Sequence, residues 1–144
     1  MEKFVRLVLP VGLMAVLGYT AACATSEPAR QLRWNPAPIS DFGSVAGKWE
    51  GLMKRIPQAR SDDWVKVVIH EDGHYEFASY RMIGVFSGRG QLNLADGKVT
   101  SSSERGAVTC TLYTDEGQRM LRAVGITKDG LEYTADLEPV KQKK

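Results

Sequence analysis

His70-Glu71-Asp72-Gly73-His74 is the stretch of this 144-residue chain whose residue types and spacing match a catalytic pattern, the H-E-x-x-H of zinc proteases. That chemistry needs a helix, which brings residues i and i+4 onto one face with the glutamate beside them. Here the interior is Asp72-Gly73, a strong turn, and the flanks alternate as Trp64-Val65-Lys66-Val67 before it and Tyr75-Glu76-Phe77 after it. The stretch therefore reads as a β-hairpin with both imidazoles on the outer face at the base of the loop and no third ligand close in sequence. No metal site and no cofactor is expected. The two thiols offer little more. A nucleophilic cysteine needs an activating base, whereas Val108-x-Cys110-x-Leu112 puts Cys110 on the apolar side of a strand as a packed thiol, and Cys23 belongs to the N-terminal leader. No catalytic centre is legible, and the chain is not expected to be an enzyme.

The elements that would position these residues are strands. After the first hairpin, Asp96-Gly97, Glu116-Gly117 and Asp129-Gly130 punctuate further alternating runs, which predicts eight strands at about 46–53, 63–70, 74–82, 86–95, 98–103, 107–114, 118–127 and 131–138. Register follows from which residues must share a face, because a slip of one residue turns a strand inside out. A two-residue turn at Asp72-Gly73 would mix faces. A three-residue loop, Glu71-Asp72-Gly73, pairs Ile69 with Tyr75, Val67 with Phe77 and Val65 with Ser79. The same test pairs Leu94 with Val99, Leu112 with Met120, Val108 with Val124 and Ile126 with Tyr133. An antiparallel sheet with one apolar face and no helix to cover it folds onto itself, so the fold class is all-β: an eight-stranded antiparallel up-and-down meander closing into a small barrel. Gly84, Gly88 and Gly90 fit the sharp bend that closure requires.

The first forty or so residues differ from the rest. Lys3 and Arg6 precede an almost uncharged apolar run from Leu7 to Tyr19, then small residues and Cys23, which is export-signal architecture. The run falls short of the roughly 20 apolar residues of a spanning helix and is interrupted by Pro10, Gly12 and Gly18. Ala21-Ala22-Cys23 resembles the end of a bacterial lipobox, whose cysteine receives a diacylglycerol and becomes the mature N-terminus; Thr20 stands where that pattern has an aliphatic residue, and Ala22-x-Ala24 also suits ordinary cleavage. The expected domains are a signal peptide at 1–22, a lipid-anchored linker at 23–44 carrying Pro28, Pro36 and Pro38, a barrel at 45–140 and a basic tail at 141–144. The location implied is the periplasmic or outward face of a membrane, with soluble secretion as the alternative. Basic and acidic side chains number 19 and 17, and without Lys3, Arg6 and Glu2 they are 17 and 16. A balance so even, with no basic cluster before the tail, excludes nucleic acid as a partner.

Gly47-x-Trp49 opening an eight-stranded antiparallel meander resembles the lipocalin and wider calycin pattern. The resemblance covers residues 45–138 and implies that Trp49 closes one barrel end against an arginine from a late strand. The register places Arg122 inside, where a charge must be compensated. Three roles stand open: stacking over Trp49, meeting an acyl carboxylate inside the barrel, or facing solvent after a reversal of the strand. The leading functional expectation is binding of a small apolar or amphipathic ligand, lined by Trp49, Tyr75, Phe77, Phe86, Arg122 and Tyr133. The alternative is an envelope interaction or inhibitor module with a filled barrel, working through its loops and through Trp64 and Tyr80, which pair on the outer face.

Overall fold

The computed structural model of the chain describes residues 33–57, 62–81 and 84–141. The expected signal peptide, Cys23 as the expected lipid site, and the end of the basic tail lie outside the described residues. Among the described residues ten strands form one sheet: β1 (Asn35–Ala37), β2 (Gly47–Ile56), β3 (Asp63–Ile69), β4 (His74–Arg81), β5 (Gly84–Gln91), β6 (Asn93–Ala95), β7 (Lys98–Ser103), β8 (Gly106–Asp115), β9 (Gln118–Thr127) and β10 (Glu132–Pro139). All pairings are antiparallel, in the order β5-β4-β3-β2-β10-β9-β8-β7-β6, with β1 added on β8. This up-and-down sheet curls into a half-barrel. The curl brings the inner faces of distant strands together, as where the Tyr75 hydroxyl on β4 lies 3.2 Å from the Ser101 hydroxyl on β7.

The fourth expected strand is present as two, β5 and β6. They meet at Leu92, which is buried in the core and whose N–H donates to Gly73 O at 2.9 Å. β5 ladders with β4 and β6 with β7, so the bent segment forms both ends of the sheet path.

Register agrees with expectation at the first hairpin, where Ile69 faces Tyr75 and Val67 faces Phe77, and at Leu94 opposite Val99. β9 is the exception. Leu112 faces Leu121, Val108 faces Gly125, and Gly125 faces Tyr133, so the strand presents the opposite face from the one expected. The cause lies in its two turns. Glu116 and Gly117 both take positive φ, 45° and 83°, which makes a two-residue type I′ turn where three residues were expected. The β9–β10 connection is one residue longer than expected: Thr127 N donates to Leu131 O, and the Thr127 hydroxyl accepts from Leu131 N at 3.0 Å.

Inward-facing rings lie over glycines. Tyr75 covers Gly90, Phe77 covers Gly88 and Tyr133 covers Gly125, each directly across a strand pair. A Cβ at Gly88 would stand 2.6 Å from Phe77 Cε1, and one at Gly90 would stand 2.9 Å from Tyr75 Cε1. The space these glycines leave is thus taken by aromatic side chains of the same sheet. At Gly125 an added methyl would enter the Tyr133 ring itself. Gly125→Ala is therefore expected to cost about 1–3 kcal/mol, the scale of overpacking. Tyr133→Leu in the same chain should restore part of it in urea unfolding; equal midpoints for Gly125→Ala and wild type would refute the close fit.

The end of the half-barrel nearest β1 is plugged. Residues 35–44, expected as linker, belong to the domain. Asn35–Ala37 pairs with Thr114–Leu112 of β8, Ile39 is buried and its N–H donates to Gly97 O, and Asp41 Oδ1 caps the 3-10 turn Phe42–Ser44 by accepting from Ser44 N at 2.9 Å. The apolar residues Ala37, Ile39, Phe42 and Val45 explain this: they pack on the core formed by Trp49, Ile69, Leu92, Val99, Leu112, Leu121 and Leu137. Prolines in that stretch remove N–H donors without preventing an extended segment from burying its apolar side chains.

Candidate functional site

Trp49 sits in this plug. Its side chain is about 1% exposed, its indole Nε1–H donates to Val45 O at 2.8 Å, and the Arg119 guanidinium lies 5.4 Å from the ring centroid. Arg119 also donates to Ser44 O at 3.0 Å. The late-strand arginine on the tryptophan is thus Arg119, at the start of β9, where Arg122 had been considered.

Arg122 faces outward. It makes a two-pronged pair with Asp136 on β10, Nε to Oδ1 at 2.6 Å and Nη2 to Oδ2 at 3.0 Å, and stands over the Tyr113 ring. The Asp136 hydrogen bond holds the guanidinium pKa above its ordinary value. Side-chain exposures of 43% and 54% leave this pair well hydrated. Arg122→Met is expected to change stability by under about 1 kcal/mol, the range of surface pairs. A larger shift of the urea midpoint would contradict the outward placement.

Of the remaining expected lining, Tyr75, Phe77 and Phe86 form one inner surface. Ring centroids are 6.4 Å apart for Tyr75–Phe77 and 5.7 Å for Phe77–Phe86. Phe86 is 44% exposed although it shares the inner face with buried Ser79. Tyr133 is half-buried on the same side of the sheet, and burial pushes its phenol pKa up. Trp49 lies in the plug, within the buried core against which Tyr75 also packs.

Sequence reasoning missed an inner ion pair. Arg55 Nη2 donates to Asp63 Oδ2 at 2.5 Å, with side chains 23% and 6% exposed, and the Ser79 hydroxyl lies 3.4 Å from the same oxygen. Both charged residues flank the β2–β3 connection, which was read as loop through Asp62. Extending the alternation of Trp49, Gly51 and Met53 by two more residues would have found Arg55.

On the outer face, Trp64 and Tyr80 pair across β3 and β4 as expected, and they belong to a longer row. Leu52 on β2 faces Trp64, Trp64 faces Tyr80, and Tyr80 faces Val85 on β5. The four side chains are 46%, 41%, 43% and 62% exposed. Lys66 Nζ stands 5.7 Å from the Tyr80 ring centroid, and the row continues beyond Leu52 into Asp136 and Arg122. Leu52, Trp64, Lys54, Arg122 and Asp136 are among the residues around an open depression of about 1020 Å³.

Comparison with protein-family models and with curated proteins finds no match to this chain.

The H-E-x-x-H residues lie on a hairpin. His70 N donates to His74 O at 2.8 Å, and Asp72 accepts from His74 N at 2.9 Å while its other oxygen lies 3.0 Å from His74 Nδ1. These contacts, the backbone one foremost, hold the Asp72 carboxyl below its ordinary pKa. Among the described residues no group of three or more His, Cys, Asp or Glu side chains is placed to hold a metal ion. Cys110 is a buried free thiol whose pKa burial raises to about 12. At pH 8 it is protonated, and thiolate is the reactive form. In a Cys23→Ser chain, Ellman's reagent is expected to detect no fast-reacting thiol until denaturant is added; a fast native reaction would show an accessible Cys110.

Proposed function

We propose that this protein is a non-enzymatic cell-envelope lipoprotein whose filled half-barrel presents an outer face to a protein partner. The row Leu52–Trp64–Tyr80–Val85 carries the reading: four apolar side chains aligned across four neighbouring strands, half-exposed and bordered by Lys66 and the Arg122–Asp136 pair. Exposed apolar residues scattered singly need no explanation, whereas a contiguous aromatic row with a charged border has the make-up of a docking surface. The rings over Gly88, Gly90 and Gly125 support a filled interior, and Arg119 over Trp49 fits the lipocalin-like resemblance. Lipid on Cys23 would hold the domain at the membrane. Detergent-phase partitioning of wild type against Cys23→Ser tests that part, and identical aqueous behaviour would remove the anchor.

A photo-activatable side chain at Leu52 or Tyr80, expressed in envelope-bearing host cells, tests the surface. A discrete protein adduct is expected at these positions and none at exposed Gln118. Adducts at all three positions, or at none, would end the proposal.

The ligand reading retains one supporting observation, the inward Phe86 that stays 44% exposed beside Phe77. A ligand's apolar body would lie on Tyr75, Phe77 and Phe86, with Arg55 on the same inner face. Titration with a fluorescent fatty acid checks it, and a signal that never saturates discards it.

A further inference from the structure

Among the described residues β5 is laddered on one side only. Its pairing there is with β4, from His74 opposite Gln91 to Arg81 opposite Gly84, and it forms one end of the sheet path. An edge strand presents a row of backbone donors and acceptors suited to another strand, and proteins usually blunt such an edge with proline, lysine, a bulge or a very short strand. β5 has none of these devices. It runs eight residues, Gly-Val-Phe-Ser-Gly-Arg-Gly-Gln, with Arg89 as its one charge, and Gly84 to Ser87 are all exposed. Val85, the most exposed residue of the outer apolar row at 62%, stands on this strand.

We propose that the β5 edge pairs antiparallel with the β5 of a second copy of this chain, making a two-fold dimer with a sheet continuous across the axis. Strand addition recognises main chain first and side chains second. In a two-fold pair each strand meets the same surface it presents, so the pairing must be self-tolerant. β5 satisfies that condition. With the axis at Ser87, Val85 of one copy faces Arg89 of the other, so no like charges oppose each other and the arginine stem covers the exposed valine. Gly88 and Gly90 do not weaken the strand as bare glycines would, because Phe77 and Tyr75 cover them from the inner side. Val85 belongs to both the outer row and this edge, but the pairing runs through the β5 main chain and needs neither Trp64 nor Tyr80, so it stands whether or not a foreign partner docks on those two residues.

The test uses the full chain in density-matched detergent. Sedimentation equilibrium is expected to give a protein mass of two chains. Val85→Lys, at a position exposed enough to leave far-UV circular dichroism unchanged, should weaken the dimer about tenfold or more, because each substitution enters the interface twice. Trp64→Ala should leave the dimer intact, which separates this inference from the docking surface. Single cysteines at Val85, Ser87 and Arg89 should cross-link under mild oxidation above the wild-type background, with Ser87→Cys fastest. A single-chain mass at roughly 100 µM, where even weak complexes form, would overturn the proposal. So would a dimer that dissolves with Trp64→Ala but survives Val85→Lys.

Discussion

Trp49→Ala is expected to lower stability by about 3–5 kcal/mol, the range for removing a large aromatic from a packed core. The indole is almost wholly buried between Val45 and the Arg119 guanidinium, and its N–H satisfies the Val45 carbonyl. Losing it leaves a cavity, an unpaired carbonyl and an arginine without its ring. The urea midpoint should fall by more than about 1 M with little change in slope. Two lesser variants divide the effect. Trp49→Phe keeps most of the apolar volume but no donor, and should cost about 1–3 kcal/mol for the orphaned carbonyl. Arg119→Met removes the cation and keeps a stem over the ring, so about 1 kcal/mol is expected. If Trp49→Ala shifted the midpoint by less than Arg119→Met does, the plug would not be the cohesive end of the domain.

Asp63→Ala is expected to cost about 3–5 kcal/mol, because it strands Arg55 on the inner face without its counter-charge. The pair itself adds little net stability, since desolvating two charges offsets most of their attraction. Arg55→Met with Asp63→Leu should therefore be close to neutral or stabilising. A double-mutant cycle in urea measures the coupling directly. Additive single effects would show that the two side chains do not depend on each other. Ser79, which is buried and lies within hydrogen-bond reach of Asp63, should become less costly to replace by alanine once Asp63 is gone, because its hydroxyl has then already lost that acceptor.

Much of this protein was legible in its residue order. Alternation with period two defines the strands, and Asp-Gly and Glu-Gly pairs place the turns. Burial of Val65, Ile69, Cys110, Leu112, Ala135 and Leu137 follows from that alternation alone, as does the outward pairing of Trp64 with Tyr80. These properties are local: a strand's faces are decided by neighbouring side chains, and turn chemistry acts over two or three residues.

Only the tertiary structure decided three others. The face of β9 depended on loop lengths that differ by one residue, and the apolar count on Met120, Val124 and Ile126 outweighed the warning carried by Arg122. Tyr133, arriving from β10, needs a glycine beneath its ring, and Gly125 supplies it only when Leu121 and Ala123 also face inward. The docking of residues 35–45 depended on what the curled sheet leaves open at one end, which no local pattern encodes. The row from Leu52 to Val85 likewise exists only once four strands are in register: each residue alone is an ordinary exposed side chain, and a surface arises from the ladder that aligns them.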